Sequence, residues 1–135
     1  MKFEELKESI KEDLKIDLRD LENAAANNSL LYHKYNTILT ESKVHFRKLW
    51  IKHQETKKRT YRYYTGLEEE CPPETLDSTG VKFHMAGDKD MLEDQKIMFM
   101  LEEKIKYLES ACQNFISRGF NIKNIIDLRK LESGI

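Results

Sequence analysis

LRDLENAAANNSLLYHKYNTILTESKVHFRKLWIKHQETKKRTYRYYT, residues 18–65, holds neither proline nor glycine. A mostly apolar 3–4 spacing runs through Leu18, Leu21, Ala25, Asn28, Tyr32, Tyr35, Leu39, Ser42, Phe46, Leu49 and His53. This pattern predicts one helix of about 48 residues, about 70 Å long at 1.5 Å per residue, with Asp17 as its N-cap. Asn28, Ser42 and His53 stand where a two-stranded coiled coil wants leucine. The stripe therefore reads as a seam in a helical assembly.

Working outward, Phe3, Leu6, Ile10 and Leu14 mark a short amphipathic helix within residues 2–15. On the other side, residues 66–87 hold both prolines, three of the five glycines and a cluster of acids. Pro72-Pro73 cannot lie inside a helix, so this segment is expected to be an acidic loop. Asp88 then caps a second long helix over 88–118, with Met91, Met98, Leu101, Ile105, Leu108, Cys112 and Phe115 in heptad register. Gly119 is placed to end it, and Asn121 to cap a last short helix carrying Ile122, Ile125, Ile126, Leu128 and Leu131. The expected fold is all-α and one structural domain overall. It comprises a helical region 1–65, the loop 66–87 and a second helical region 88–135.

With 35% charged and 39% apolar residues, a chain of 135 residues buries only a thin core by itself. Ile97, Phe99 and Met100 widen the apolar surface of the second long helix beyond one stripe. A helix apolar on more than one face meets more than one neighbour. These residues, with Ile116, Phe120, Ile122, Ile125, Ile126, Leu128 and Leu131, are the candidate self-assembly surface. Cys71 and Cys112 form no CxxC pattern, and nothing suggests a secretory leader or a membrane span, so a reduced cytoplasm is expected.

Charge is distributed unevenly. Residues 43–62 carry eight lysines and arginines against Glu55 alone, +7 in a chain of net charge −1. Projected at 100° per residue, Lys43, Arg47, Lys48, Lys52, Lys58, Arg59 and Arg62 cover one half of the helix, with Lys57 at the edge. Phe46, Leu49, Trp50, His53, Thr60 and Tyr64 lie on the other half, where packing is expected. Cations interleaved with Tyr61 and Tyr63 suit single-stranded nucleic acid, because lysine and arginine neutralise phosphates while rings stack on any base. The candidate DNA-binding residues are Lys43, Arg47, Lys48, Lys52, Lys57, Lys58, Arg59, Tyr61, Arg62 and Tyr63. A helical scaffold without nucleic-acid function explains the heptads equally well, but leaves the +7 segment without a purpose.

Catalysis has little support. There is no P-loop, and His33, His45, His53 and His84 form no ligand pair. His45 and His53 share a helix face but stand about 12 Å apart, too far to share a metal. No metal and no cofactor are expected.

Four blocks, NAAANNSLLYHKY (23–35), KKRTYRYYTG (57–66), GDKDMLE (87–93) and ISRGFNIKNIIDLRKLESG (116–134), together resemble the UvsY-type recombination mediators of T4-like bacteriophages. The resemblance runs nearly end to end. It implies a non-enzymatic protein that acts in the cytoplasm of the infected bacterial host. Such a protein binds single-stranded DNA and helps the phage recombinase assemble on DNA covered by the phage single-strand-binding protein, contacting both proteins. It also implies a closed homo-oligomeric ring of about six or seven subunits, with self-assembly residing in the C-terminal region. The family's DNA-binding motif, roughly Lys-x-Arg-x-x-Tyr-Tyr, places its lysine on Lys58 and its tyrosines on Tyr63 and Tyr64. Its arginine falls on Thr60, so that role does not carry over, and Arg59 and Arg62 are the candidate substitutes.

Overall fold

A computed structural model describes residues 2–134, so the outer ends of the expected regions, residues 1 and 135, lie outside the described residues. The fold is all-α. In chain order it runs α1 (Phe3–Leu14), α2 (Leu21–Tyr64), α3 (Ser78–Ala86) and α4 (Lys89–Glu132). No helix among the described residues is long and apolar enough to cross a membrane. The chain divides into two compact units. One takes the residues up to Glu41 with those from Lys104 onward, and the other is Ser42–Glu103.

In the first unit, α1 buries Leu6 and Ile10 against the N-terminal part of α2 and the C-terminal part of α4. Tyr35 stacks on Phe115 with ring centroids 5.2 Å apart, and its hydroxyl hydrogen-bonds Ser9 and donates to Asp13. Arg118 is 6% exposed and ties all three helices together. Its guanidinium donates to the backbone carbonyls of Leu14 (3.2 Å), Lys15 (3.0 Å) and Ala24 (3.4 Å), and to Asn28 Oδ1 (2.8 Å). Leu14 and Lys15 lie where α1 runs out and its last carbonyls lack intrahelical donors, so a cation with a planar fork suits the place. Asn28 completes the arrangement by donating Nδ2–H to the carbonyl of Phe115 at 2.9 Å.

Three boundaries differ from the sequence expectation. First, α2 starts at Leu21. Asp17 instead closes a turn, accepting from the backbone N–H of Arg19, while Asp20 caps the helix by accepting from Asn23 at 3.3 Å. Second, α4 does not stop at 118: it passes through Gly119 to Glu132, so the residues expected to form a separate short C-terminal helix belong to α4. A Cβ at Gly119 would lie 2.9 Å from Asn28 Nδ2, so this glycine permits close approach of α2 rather than ending a helix. Third, residues 78–86 are helical, not loop. Asp77 caps α3 by accepting from Gly80 N–H at 2.7 Å.

The second unit has a thinner apolar core, in which Val81, Met91 and Leu101 are buried. Beside them α2 buries Ser42, His53, Thr56 and Thr60. His53 Nδ1 meets Asp94 Oδ2 at 3.2 Å, and Thr60 donates to the carbonyl of Thr56 at 2.7 Å. The helix ends in a Schellman turn. Gly66 takes φ +77°, with Gly66 N–H on Tyr63 O (3.3 Å) and Leu67 N–H on Arg62 O (2.9 Å). The left-handed conformation at Gly66, which glycine adopts without a Cβ penalty, ends α2 there.

Candidate nucleic-acid interface

The C-terminal half of α2 buries one side, and this assigns the other to solvent. His53, Thr56 and Thr60 are buried and Phe46, Leu49 and Tyr64 half-buried. Lys43, Arg47, Lys48, Lys52, Lys57, Lys58 and Arg59 are all exposed and Arg62 is half-exposed. Tyr61 (51% exposed) and Tyr63 stand among them. The ten candidate DNA-binding residues therefore share the solvent side of one rigid element.

Their electrostatic freedom varies. Arg59 pairs with Asp90 at 3.4 Å and Arg62 with Glu68. Both pairs are solvent-accessible, worth about 0–1 kcal/mol each, and a phosphate can replace the carboxylate at little cost. Among the described residues no carboxylate pairs with Arg47, Lys48, Lys57 or Lys58. With so few acids in the run, a positive field persists along this side of α2 and attracts polyanions.

Packing explains the rest of the motif. Tyr64 lies half-buried against α3 and α4: its hydroxyl donates to Asp88 at 3.0 Å and its ring stacks on His84 at 5.7 Å. Burial, and then the hydrogen bond to the Asp88 carboxylate, raise its pKa above the usual tyrosine value. Asp88 in turn caps α4, accepting from Asp90 N–H (2.9 Å) and Met91 N–H (3.2 Å). Thr60, where the motif arginine would stand, points inward, so an arginine there would have to be buried. Arg59 and Arg62 reach solvent on either side of it. Burial works to raise the Asp94 carboxyl, but hydrogen bonds from Thr56 and His53 and the charge of Lys52 outweigh it and hold the group below the ordinary value.

Other expectations are corrected. Trp50, placed on the packing arc by projection, is 52% exposed, whereas Thr56 on the same side is buried. Among the candidate self-assembly residues, Ile122 is only 1% exposed and lies within its own chain's core, so it offers no surface to a neighbour. Ile97, Phe99, Met100, Ile116, Phe120, Leu128 and Leu131 are exposed, and Ile125 and Ile126 half-buried. Lys82 on α3 is a further exposed cation outside the candidate set. It joins Lys57, Lys58 and Tyr61 around one groove. Its signal in the sequence is Asp77 three residues before Gly80, an N-cap inside an otherwise loop-like segment.

An all-α fold that turns a cationic helix face to solvent fits a protein that engages a polyanion such as nucleic acid. Residues 9–135 match the family model described as "Recombination, repair and ssDNA binding protein UvsY". The chain is 29% identical over 136 residues to the recombination protein uvsY of Enterobacteria phage T4, covering 99% of each chain. Its fold superposes on crystal structures of the bacteriophage T4 recombination mediator protein UvsY. The TM-score is 0.92 in lattice type II (28% identity, 98% of each chain covered). It is 0.91 in type IV (28% identity, covering 97% of this chain and 99% of that one). The chain belongs to the UvsY family and is a recombination mediator, not an enzyme.

Proposed function

We propose that the solvent side of α2, from Lys43 to Tyr63, is the surface through which this mediator holds single-stranded DNA. The protein promotes loading of the phage recombinase onto DNA covered by single-strand-binding protein, in recombination, repair and recombination-dependent replication. The observation that carries the assignment to α2 is the set of exposed cations, four of them without a carboxylate partner, around Tyr61 and Tyr63. Each phosphate contact releases counterions and is individually weak. Several copies of the face on one assembly convert weak contacts into tight, salt-sensitive binding.

The assembly is a homo-oligomeric ring, in which the N-terminal region supplies the DNA face and the C-terminal region the subunit contacts. Exposed Ile116, Phe120, Leu128 and Leu131 on α4 support this division, since apolar side chains so grouped mark interaction surfaces. Ile97, Phe99 and Met100 extend the exposed apolar character of α4. Assembly in the host cytoplasm gives both partner proteins access to the ring. A strand held on α2 is bent away from the path that the covering protein imposes, and this frees template for recombinase.

Fluorescence anisotropy of a labelled oligonucleotide across a salt series, with sedimentation alongside, tests the reading. Binding by an oligomer should weaken by a log–log slope of about 0.7 per phosphate contacted. Assembly without binding at low salt would overturn it.

A further inference from the structure

We propose that the groove between α2 and α3 seats an unstacked nucleobase of the bound strand, making α3 part of the DNA-binding surface. The groove is open to solvent on one side and offers about 710 Å³, within the roughly 300–1,000 Å³ typical of ligand sites. Its floor is apolar: Val81 is buried, and Leu76 and Met85 half-buried. Its rim is cationic, with Lys57 and Lys58 from α2 and Lys82 from α3, all exposed. Tyr61, half-exposed, also lines it and offers a ring at the mouth. One acid, Asp77, is also present, but its Oδ1 is engaged at 2.7 Å by the Gly80 N–H at the start of α3, where the helix dipole favours a negative charge.

Charge complementarity selects the occupant. An apolar partner side chain would need no three lysines beside it, and a free anion would gain nothing from the apolar lining. A nucleotide within a strand uses both, with its base on Leu76, Val81 and Met85 and its flanking phosphates on the lysines. The base must be unpaired to enter, which makes the groove a device for preferring single strands. Two of the three cations and the aromatic ring come from the basic stretch of α2. The third cation and the floor come from the segment that looked like an acidic loop.

This rests on the α2 reading, and the experiment separates the two. The affinities of the full-length oligomer for an ordinary oligonucleotide and for an abasic one of equal length are compared. Wild type, Lys82→Ala, Tyr61→Leu and Lys48→Ala are measured across salt, with sedimentation confirming assembly. The wild type should favour the oligonucleotide with bases by about tenfold, in keeping with stacking on protein groups. Tyr61→Leu should cut that ratio several-fold. Lys82→Ala should lower the salt slope, as Lys48→Ala does, but only Lys82→Ala should also reduce the base-dependent ratio. Salt-sensitive binding with a ratio that neither Tyr61→Leu nor Lys82→Ala alters would overturn the groove and leave the α2 reading standing. No binding at low salt would overturn both.

Discussion

Replacing Arg118 by methionine should destabilise the first unit by about 2–4 kcal/mol. The guanidinium serves the Leu14 and Lys15 carbonyls, which α1 leaves without helical donors, and the Asn28 side-chain oxygen, and it adds a second donor to the Ala24 carbonyl within α2. Each buried acceptor left without a donor costs about 1–3 kcal/mol. Two terms reduce the sum. The carbonyls at the end of α1 can regain water, and the buried cation no longer has to be desolvated, a cost seen in the lowering of its pKa by burial. Methionine keeps much of the volume and none of the donors, so the loss reports polar satisfaction rather than a cavity. At a fixed protomer concentration the midpoint of thermal unfolding should fall by about 10 °C. Amide exchange should accelerate selectively in α1, which loses its tether to α4. Arg118→Lys, which keeps the charge but not the fork, should recover less than half. A methionine variant within about 1 kcal/mol of wild type, with α1 still protected, would refute the assignment.

Gly119→Ala should destabilise by about 1 kcal/mol although alanine is the better helix former, because its Cβ would displace the Asn28 amide from Phe115 and Arg118. Urea unfolding giving a more stable variant would show that the close approach is unimportant. Asp94 has a folded-state pKa below its unfolded value, so its contribution is complete above the unfolded value and is lost as pH falls through the folded one. Protection of the His53–Asp94 region should therefore fade below about pH 4, and Asp94→Asn should remove that acid-range slope; an unchanged profile would contradict this. Asp77→Ala should cost about 1 kcal/mol by uncapping α3, visible as faster exchange over residues 78–86.

Most of the architecture is readable from periodicity. The 3–4 spacing through Tyr35 and Leu39, and through Leu108, Cys112 and Phe115, identifies the stripes that build the first unit's core. What escapes is tertiary in origin. Gly119 looks like a terminator until Asn28, far away in sequence, is brought against it, and Ile122 looks like assembly surface until α4 carries it into its own core. Helix α3 has nine residues and buries Val81 alone, too little for an apolar pattern, so only its cap betrays it. The cationic side of α2 is legible because charge density needs no partner to be seen. Projection misplaces Trp50, since an arc of the helix is not yet a neighbour to pack on. The blocks at 23–35 and 116–134 meet in the fold, where Asn28 of the first accepts from Arg118 and lies against Gly119 of the second.

On the proposed reading, exposed cations on α2 carry the mediator activity. The most direct measurement is recombinase loading on single-stranded DNA covered by single-strand-binding protein. Wild type is compared with a Lys48→Glu, Lys58→Glu variant shown by sedimentation to assemble normally. Wild type should shorten the lag in recombinase assembly, and the assembled variant should leave the lag as long as with no mediator. A variant that assembles and loads recombinase as fast as wild type would rule out the cationic side of α2 as the DNA-binding surface.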